Sequence, residues 1–180
     1  MIDANDIWAV GYTVTGNSQT LTEHWDGSQW SIVPSPNVGD YRNQLSGATA
    51  LASNDVWAVG SSDSDTKTLV LHWDGSSWGV VPSPNSTVYG QESSLASISA
   101  VSPTDIWAVG TNAFTYYTGE DANTIYYTLF EHWDGSTWSI VPGASTNASS
   151  FGGGLFGVAA VSTGDVWAVG PNLTERFTIP

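Results

Sequence analysis

The side chains best equipped for chemistry in this sequence recur in one phrase. His24, His72 and His132 each open HWDGS, followed by one further residue and a tryptophan. An imidazole can bind a metal or move a proton. A metal site needs ligands that converge, whereas one histidine per repeat is held apart from the next by the repeat itself, so a structural or hydrogen-bonding role is expected. Glu23 and Glu131 precede two of the histidines, but Leu71 stands before the third, so there is no repeated Glu–His couple. Asp26, Asp74 and Asp134 of the same phrase read as turn residues. Asp63 with Asp65, and Glu120 with Asp121, offer oxygen ligands of the kind Ca²⁺ takes. Neither pair has the spacing of a calcium loop, and solvated acidic loops are expected instead. There is no cysteine, which removes disulfides, thiolate nucleophiles and thiolate metal sites together. No set of nucleophile, base and orienting group is visible, and no phosphate loop. A non-enzymatic protein without metal or cofactor is the expectation.

The positions of these residues must come from the frame around them. The chain has 180 residues, 41% of them hydrophobic, which suffices for a real core. No apolar run approaches the ~20 residues of a membrane helix. Met1 runs directly into the first repeat, so a signal peptide is not read in this chain. Arg42, Lys67 and Arg176 are the basic residues against 17 acidic ones, for a net charge of −14. Such a surface repels nucleic acid and anionic membranes. Abundant Ser, Thr, Asn and Gly with almost no Lys points to a secreted or cell-surface setting.

WAVG occurs at Trp8, Trp57, Trp107 and Trp167, with a period near 50 residues. Such a period marks a repeat fold whose unit is one supersecondary element. The second unit contains LSGATALAS (45–53), DVWAVGSS (55–62), TLVLHWDG (68–75) and SWGVVPSP (77–84), here strands a, b, c and d. All are rich in Val, Ile, Leu, Thr or Trp. DGS joins c to d as a tight hairpin, and SND, SPTD or STGD joins a to b. Pro34, Pro82 and Pro142 close strand d, where a missing N–H matters least. Strand b is apolar on both faces, as in a sheet covered on both sides. Four-stranded sheets with two buried faces, arranged radially, make a β-propeller. The WAVG tryptophans are then core wedges between blades, each burying ~150–250 Å².

The phrases DVWAVG and HWDGSSW resemble bacterial β-propeller repeats of the broad kelch and galactose-oxidase-like kind over nearly the whole chain. True kelch repeats carry Gly-Gly after the apolar strand, whereas a single Gly follows here. A Tyr–Cys cofactor of the galactose-oxidase kind would need a cysteine. The WDGSSW hairpin is also similar to hairpins of fucose-binding propeller lectins. Those use an Arg for the sugar, and no repeat here has an Arg at a recurring position.

The predicted fold is thus all-β: a propeller of four-stranded antiparallel blades, about 3.5–4 per chain, as a single domain or half-ring over residues 1–180. The units run 1–37, 45–85, 95–142 and 155–180. The first lacks strand a. In the fourth, LTERF (173–177) aligns with LTEHW (21–25) as a shortened strand c, and strand d is nearly absent. Strand b is present in both end units, so sharing one blade between the ends leaves a b strand redundant. A homo-oligomer, or part of a larger ring, is favoured over a closed monomer.

The a–b and c–d turns are short and uniform on one face, and the b–c and d–a loops on the other are longer and vary. Variable loops on a uniform frame mark a binding surface. The d–a loops carry Tyr41, Tyr89 and Phe151, and the b–c loops carry Tyr12, Phe114, Tyr116 and Tyr117. Aromatic rings among Asn, Ser, Thr and Asp suit a carbohydrate, and equally a protein partner. A lectin-like carbohydrate-binding module is expected, with a protein-interaction module that assembles with other chains as the alternative, and a fragment of a larger propeller enzyme as a weaker one. Sequons at Asn85, Asn147 and Asn172 fall in predicted loops.

Overall fold

The computed structural model describes residues 2–63, 66–85, 91–142, 153–171 and 173–178, and every regular element among them is a strand. The first sheet holds β1 (Ile7–Thr15), β2 (Asn17–Trp25) and β3 (Trp30–Val33). The second holds β4 (Gln44–Ala52), β5 (Asp55–Ser62), β6 (Lys67–Trp73) and β7 (Trp78–Val80). The third holds β8 (Gln91–Ser102), β9 (Asp105–Thr118), β10 (Asp121–Trp133) and β11 (Trp138–Ile140). The fourth holds β12 (Gly157–Ser162), β13 (Asp165–Gly170) and β14 (Leu173–Thr178). Each sheet is an antiparallel meander in chain order, and together they are the blades of a partial β-propeller. Blade 1 has strands b, c and d; blade 4 has a, b and c.

Local chemistry explains the turns. Asp26 Oδ1 accepts the Ser28 hydroxyl and the N–H groups of Ser28 and Gln29. Asp74 and Asp134 do the same in the next two blades. The serine hydroxyl bond, then the backbone bonds, hold all three carboxyls at about 2. The glycines that follow take φ of 94° at Gly27 and Gly75 and 96° at Gly135, a region that side chains disfavour. At the foot of strand c, Thr20 and Thr68 donate their N–H to Asn37 and Asn85 Oδ1, both at 2.8 Å. The repeated PSPN phrase is therefore a structural clasp, and the one described sequon asparagine, Asn85, has its side chain engaged in it.

The glycine of WAVG answers to strand a. A Cβ on Gly60 or Gly110 would lie 1.9 Å from the carbonyl oxygen of Gln44 or Ser94. The a–b register shifts at that point, between Leu45 and Gly47 and between Leu95 and Ser97. In blade 1, whose sheet has no strand a, nothing lies within 4 Å of the Cβ position of Gly11.

The core lies between blades. Leu45, Val56, Ala58, Leu69, Leu71 and Trp78 of blade 2 meet Trp8 and Val10 of blade 1. Trp57, Val59 and Val70 of blade 2 meet Leu95, Ile106, Leu129 and Trp138 of blade 3. Val109 and Phe130 meet Leu155 and Ala168 of blade 4. The b-strand tryptophans of blades 1 and 2 wedge into the c–d hairpin of the next blade, and that of blade 3 meets strand c of blade 4. Trp8 stands 5.0 and 5.2 Å from Trp73 and Trp78, and Trp57 stands 5.0 and 5.9 Å from Trp133 and Trp138. Trp107 meets Phe177 at 4.8 Å. Trp78 Nε1 and Trp138 Nε1 are buried without an acceptor. Both rings form edge-to-face pairs with a wedge tryptophan, at 86° and 69°, a geometry that lets an N–H meet π electrons.

Two expectations are corrected. Trp57 and Trp107 are 4% and 1% exposed, but Trp167 is 41% exposed, because among the described residues no blade lies against its free side. The b–c connections of units 1 and 3 are not loops. β1 and β2 pair out to Thr15 and Asn17, and β9 and β10 pair out to Thr118 and Asp121. Tyr12, Phe114, Tyr116 and Tyr117 thus lie on strands. Thr, Tyr, Phe and Val favour extended backbone there, and Gly16 (φ 96°) and Gly119 (φ 67°) supply the reversals. In blade 2 the connection stays short, and Asp63 pairs with Lys67 at 3.0 Å.

Candidate functional site

The two ends of each blade have different chemistry. At the a–b turn end, Asp55 Oδ1 accepts from Trp57 Nε1 and His72 Nε2, both at 2.8 Å. Asp105 Oδ1 accepts from Trp107 Nε1 at 2.7 Å and His132 Nε2 at 3.0 Å. A carboxylate only accepts, so Nε2 is the protonated nitrogen. Each imidazole also lies on its tryptophan, with centroids 4.3 and 4.4 Å apart. In blade 1, His24 holds Asp6 at 2.9 Å, Asp6 also takes the Ser53 hydroxyl of blade 2, and Trp8 Nε1 is left without an acceptor. Burial works to raise the Asp6 pKa, but the Ser53 and His24 hydrogen bonds outweigh it, and the net direction is down. In blade 4, Arg176 replaces the histidine: its Nε meets Asp165 at 2.8 Å and its guanidinium lies 5.1 Å over Trp167. The arginine bond holds the Asp165 carboxyl below its usual range. The histidines brace the wedge tryptophans, which is the structural role expected of them.

One carboxyl has no such bracing. Glu131 is fully buried beside Ala108 on β9 and Ile140 on β11, and neither side-chain oxygen has a hydrogen-bond partner. Burial pushes its pKa up to about 8. The corresponding residue of blade 2 is Leu71, also fully buried.

The hairpin end of the stack holds a cleft between blades 3 and 4, about 250 Å³ in volume. Glu92 and Ser94 on β8, Thr111 and Ala113 on β9 and Tyr126 on β10 form one wall. The register pairs Glu92 with Ala113, Ser94 with Thr111 and Tyr126 with Ala113, so all five share the face of blade 3 that looks toward blade 4. Gly154 and Phe156 form the other wall. Their segment is stitched across the blades: Leu155 N–H donates to Gly110 O and Phe156 N–H to Val169 O, at 3.0 and 2.8 Å. The approach favours glycine at 154, since a Cβ there would lie 1.9 Å from Thr111 Oγ1 and force that hydroxyl to turn away. The same face of the hairpin continues outward through a Thr115–Thr124 hydroxyl pair at 2.9 Å to Tyr117, which is 72% exposed.

The residues expected to bind ligand are only partly gathered here. Tyr117 lies on the cleft side of the hairpin. Phe114 and Tyr116 stack together on its other side, with centroids 6.2 Å apart. Tyr12 and Tyr41 are exposed at blade 1 and at its connection to blade 2. Tyr89 and Phe151 lie outside the described residues. Glu92, Tyr126 and Phe156 line the cleft without belonging to any repeated phrase of the sequence. Tyr126 carried a signal, since it follows the GED reversal at the strand spacing that brings it back toward the blade.

No family model matches this sequence, and no curated protein does. A solved structure described as "YCF48 bound to D1 peptide" matches at a TM-score of 0.42 and 16% identity, covering 99% of this chain and 76% of that one. A likeness of that degree carries no argument for this protein, whose blades are established by its own sheets.

Proposed function

We propose that this chain is a non-enzymatic binding module that takes a carbohydrate in the cleft between blades 3 and 4. The observation that supports this is the composition of the two cleft walls. The Tyr126 and Phe156 rings supply apolar faces, while the Glu92 carboxylate and the Ser94 and Thr111 hydroxyls supply hydrogen-bonding groups among them. A sugar ring needs that combination of an apolar platform with a few fixed polar partners. The acidic surface directs it to neutral or basic glycans, and the setting is outside the cell or at its surface. A glycan array followed by calorimetry tests the proposal. Binding to a coherent glycan set is expected, weakened about tenfold or more by Tyr126→Ala or Phe156→Ala. Silence across the array from folded protein, or unchanged affinity in both variants, overturns it.

A second reading has its own observation. Past Phe114, β9 pairs only with β10 among the described residues, so the outer hairpin has bare strand edges beside an exposed Tyr117. Such an edge can take an extended peptide as an added strand. Peptides selected by display should then lose binding on Tyr117→Ala while Tyr126→Ala leaves it intact.

A further inference from the structure

The two ends of the blade stack carry matching halves of the interface that holds its middle together. On blade 4, Trp167 and Val169 face away from blade 3 and are 41% and 49% exposed. The same positions in blades 2 and 3 are filled by Trp57 and Val59, and by Trp107 and Val109, all buried against the next blade. On blade 1, Ile7, Trp25 and Trp30 occupy the positions that Val56, Trp73 and Trp78 hold in blade 2. The register shows it: Trp25 pairs with Ile7 and Trp30, as Trp73 pairs with Val56 and Trp78. In blade 2 this is the hairpin that receives Trp8. The blade 1 hairpin is already shaped for the same task. Its Trp25–Trp30 pair has centroids 5.9 Å apart at 47°, against 6.0 Å and 49° for Trp73–Trp78. Trp30 nevertheless stands 47% exposed where Trp78 is 6% exposed. The faces also differ in charge: Glu23 shares the Trp25 face, and Arg176 lies over Trp167.

We infer that a second copy of this chain docks head-to-tail, with Trp167 of one copy seated on the Trp25–Trp30 hairpin of the other. The contact repeats the wedge-on-hairpin packing seen at Trp8 and Trp57, without the strand-a leucines Leu45 and Leu95 that join it there, since blade 1 has no strand a. It is heterologous, each copy using different residues, and such contacts close into rings when the rotation allows. Two copies joined at both ends hold eight blades, within the ~4–8 that propellers use. The surface lies at the ends of the stack and does not depend on the carbohydrate proposal.

Sedimentation equilibrium at roughly 0.1 mM protein tests it. The parent should exceed the 19.0 kDa monomer mass. Trp167→Ser and Trp30→Ser should each weaken association by about thirtyfold or more, as loss of a central aromatic anchor does. Both side chains are exposed, so circular dichroism should show each variant folded. Mixing the two variants should restore a one-to-one pair, because one keeps the hairpin and the other keeps the wedge. A parent mass of 19.0 kDa, undiminished assembly in either variant, or no pair on mixing overturns the inference.

Discussion

Blades 2 and 3 share four strands, the same DGS turn and the same Asp–Trp–His bracing, yet of the two only blade 3 lines the cleft with blade 4. In blade 2, β5 ends at Ser62 and β6 begins at Lys67, whereas β9 and β10 of blade 3 run on to Thr118 and Asp121. Blade 2 presents Leu71 to the blade on its inner side, and blade 3 presents Glu131 at the equivalent place. The shared parts lie where neighbouring blades press together. The differences in connection lie where strands outrun that contact and no neighbour constrains them. Glu131 is the exception, a carboxyl inside the constrained region, and it should cost stability.

The largest expected effect breaks what the two blades share. Gly60→Ala and Gly110→Ala drive a Cβ into strand a and should each cost roughly 3 kcal/mol or more, lowering Tm by about 6 °C or more. Gly11→Ala, at the same place in WAVG but with open space beside it, should change stability by less than about 0.5 kcal/mol. Thermal melts of the three variants decide this, and equal losses would mean that strand a is not what demands the glycine.

The next effect sharpens the difference between the blades. Glu131→Leu copies Leu71 and removes an unpaired buried carboxyl, so it should stabilise the protein by about 1–3 kcal/mol at pH 7. Its pH dependence has a definite sign. The folded state holds the Glu131 proton up to about 8, while an unfolded glutamate releases it near 4.5. The protonated carboxyl therefore stabilises least as pH rises: its contribution is full below 4.5 and declines until pH 8. Calorimetry from pH 4 to 9 should show that decline in the parent and its loss in Glu131→Leu. Identical profiles would mean that the carboxyl reaches water.

The smallest effect concerns the shared turns. Asp26, Asp74 and Asp134 titrate at about 2 in the folded state against 3.8 unperturbed. Their contribution is full above 3.8 and is lost as pH falls through 2. Asp74→Ala should lower Tm slightly at neutral pH and make the acid side of the profile shallower. An unchanged acid limb would assign acid unfolding to other carboxylates.

Much of this frame was legible in the residues. Alternating turn phrases and strand-rich runs located the strands, since DGS and the Asp that holds it act within three residues of each other. The structural role of the histidines followed from their recurrence. The hairpin Tyr and Phe residues look like loop in the sequence because GNS and GED signal turns, while the pairing that makes their flanks strands forms across the hairpin. Glu23, Leu71 and Glu131 occupy one position of the repeat, and nothing local shows that the third is sealed from water.

By itself, the sequence determined the repeat unit, its four strands, its turns and the apolar faces that must be covered, because each of these depends on neighbours a few residues away. Tertiary structure alone decided which of four equivalent tryptophans is left exposed, that Glu131 and Glu175 are buried, and that Glu92, Tyr126 and Phe156 face one another across a cleft. Those outcomes depend on which blade lies alongside, and residues distant in the chain become neighbours only when the blades stack.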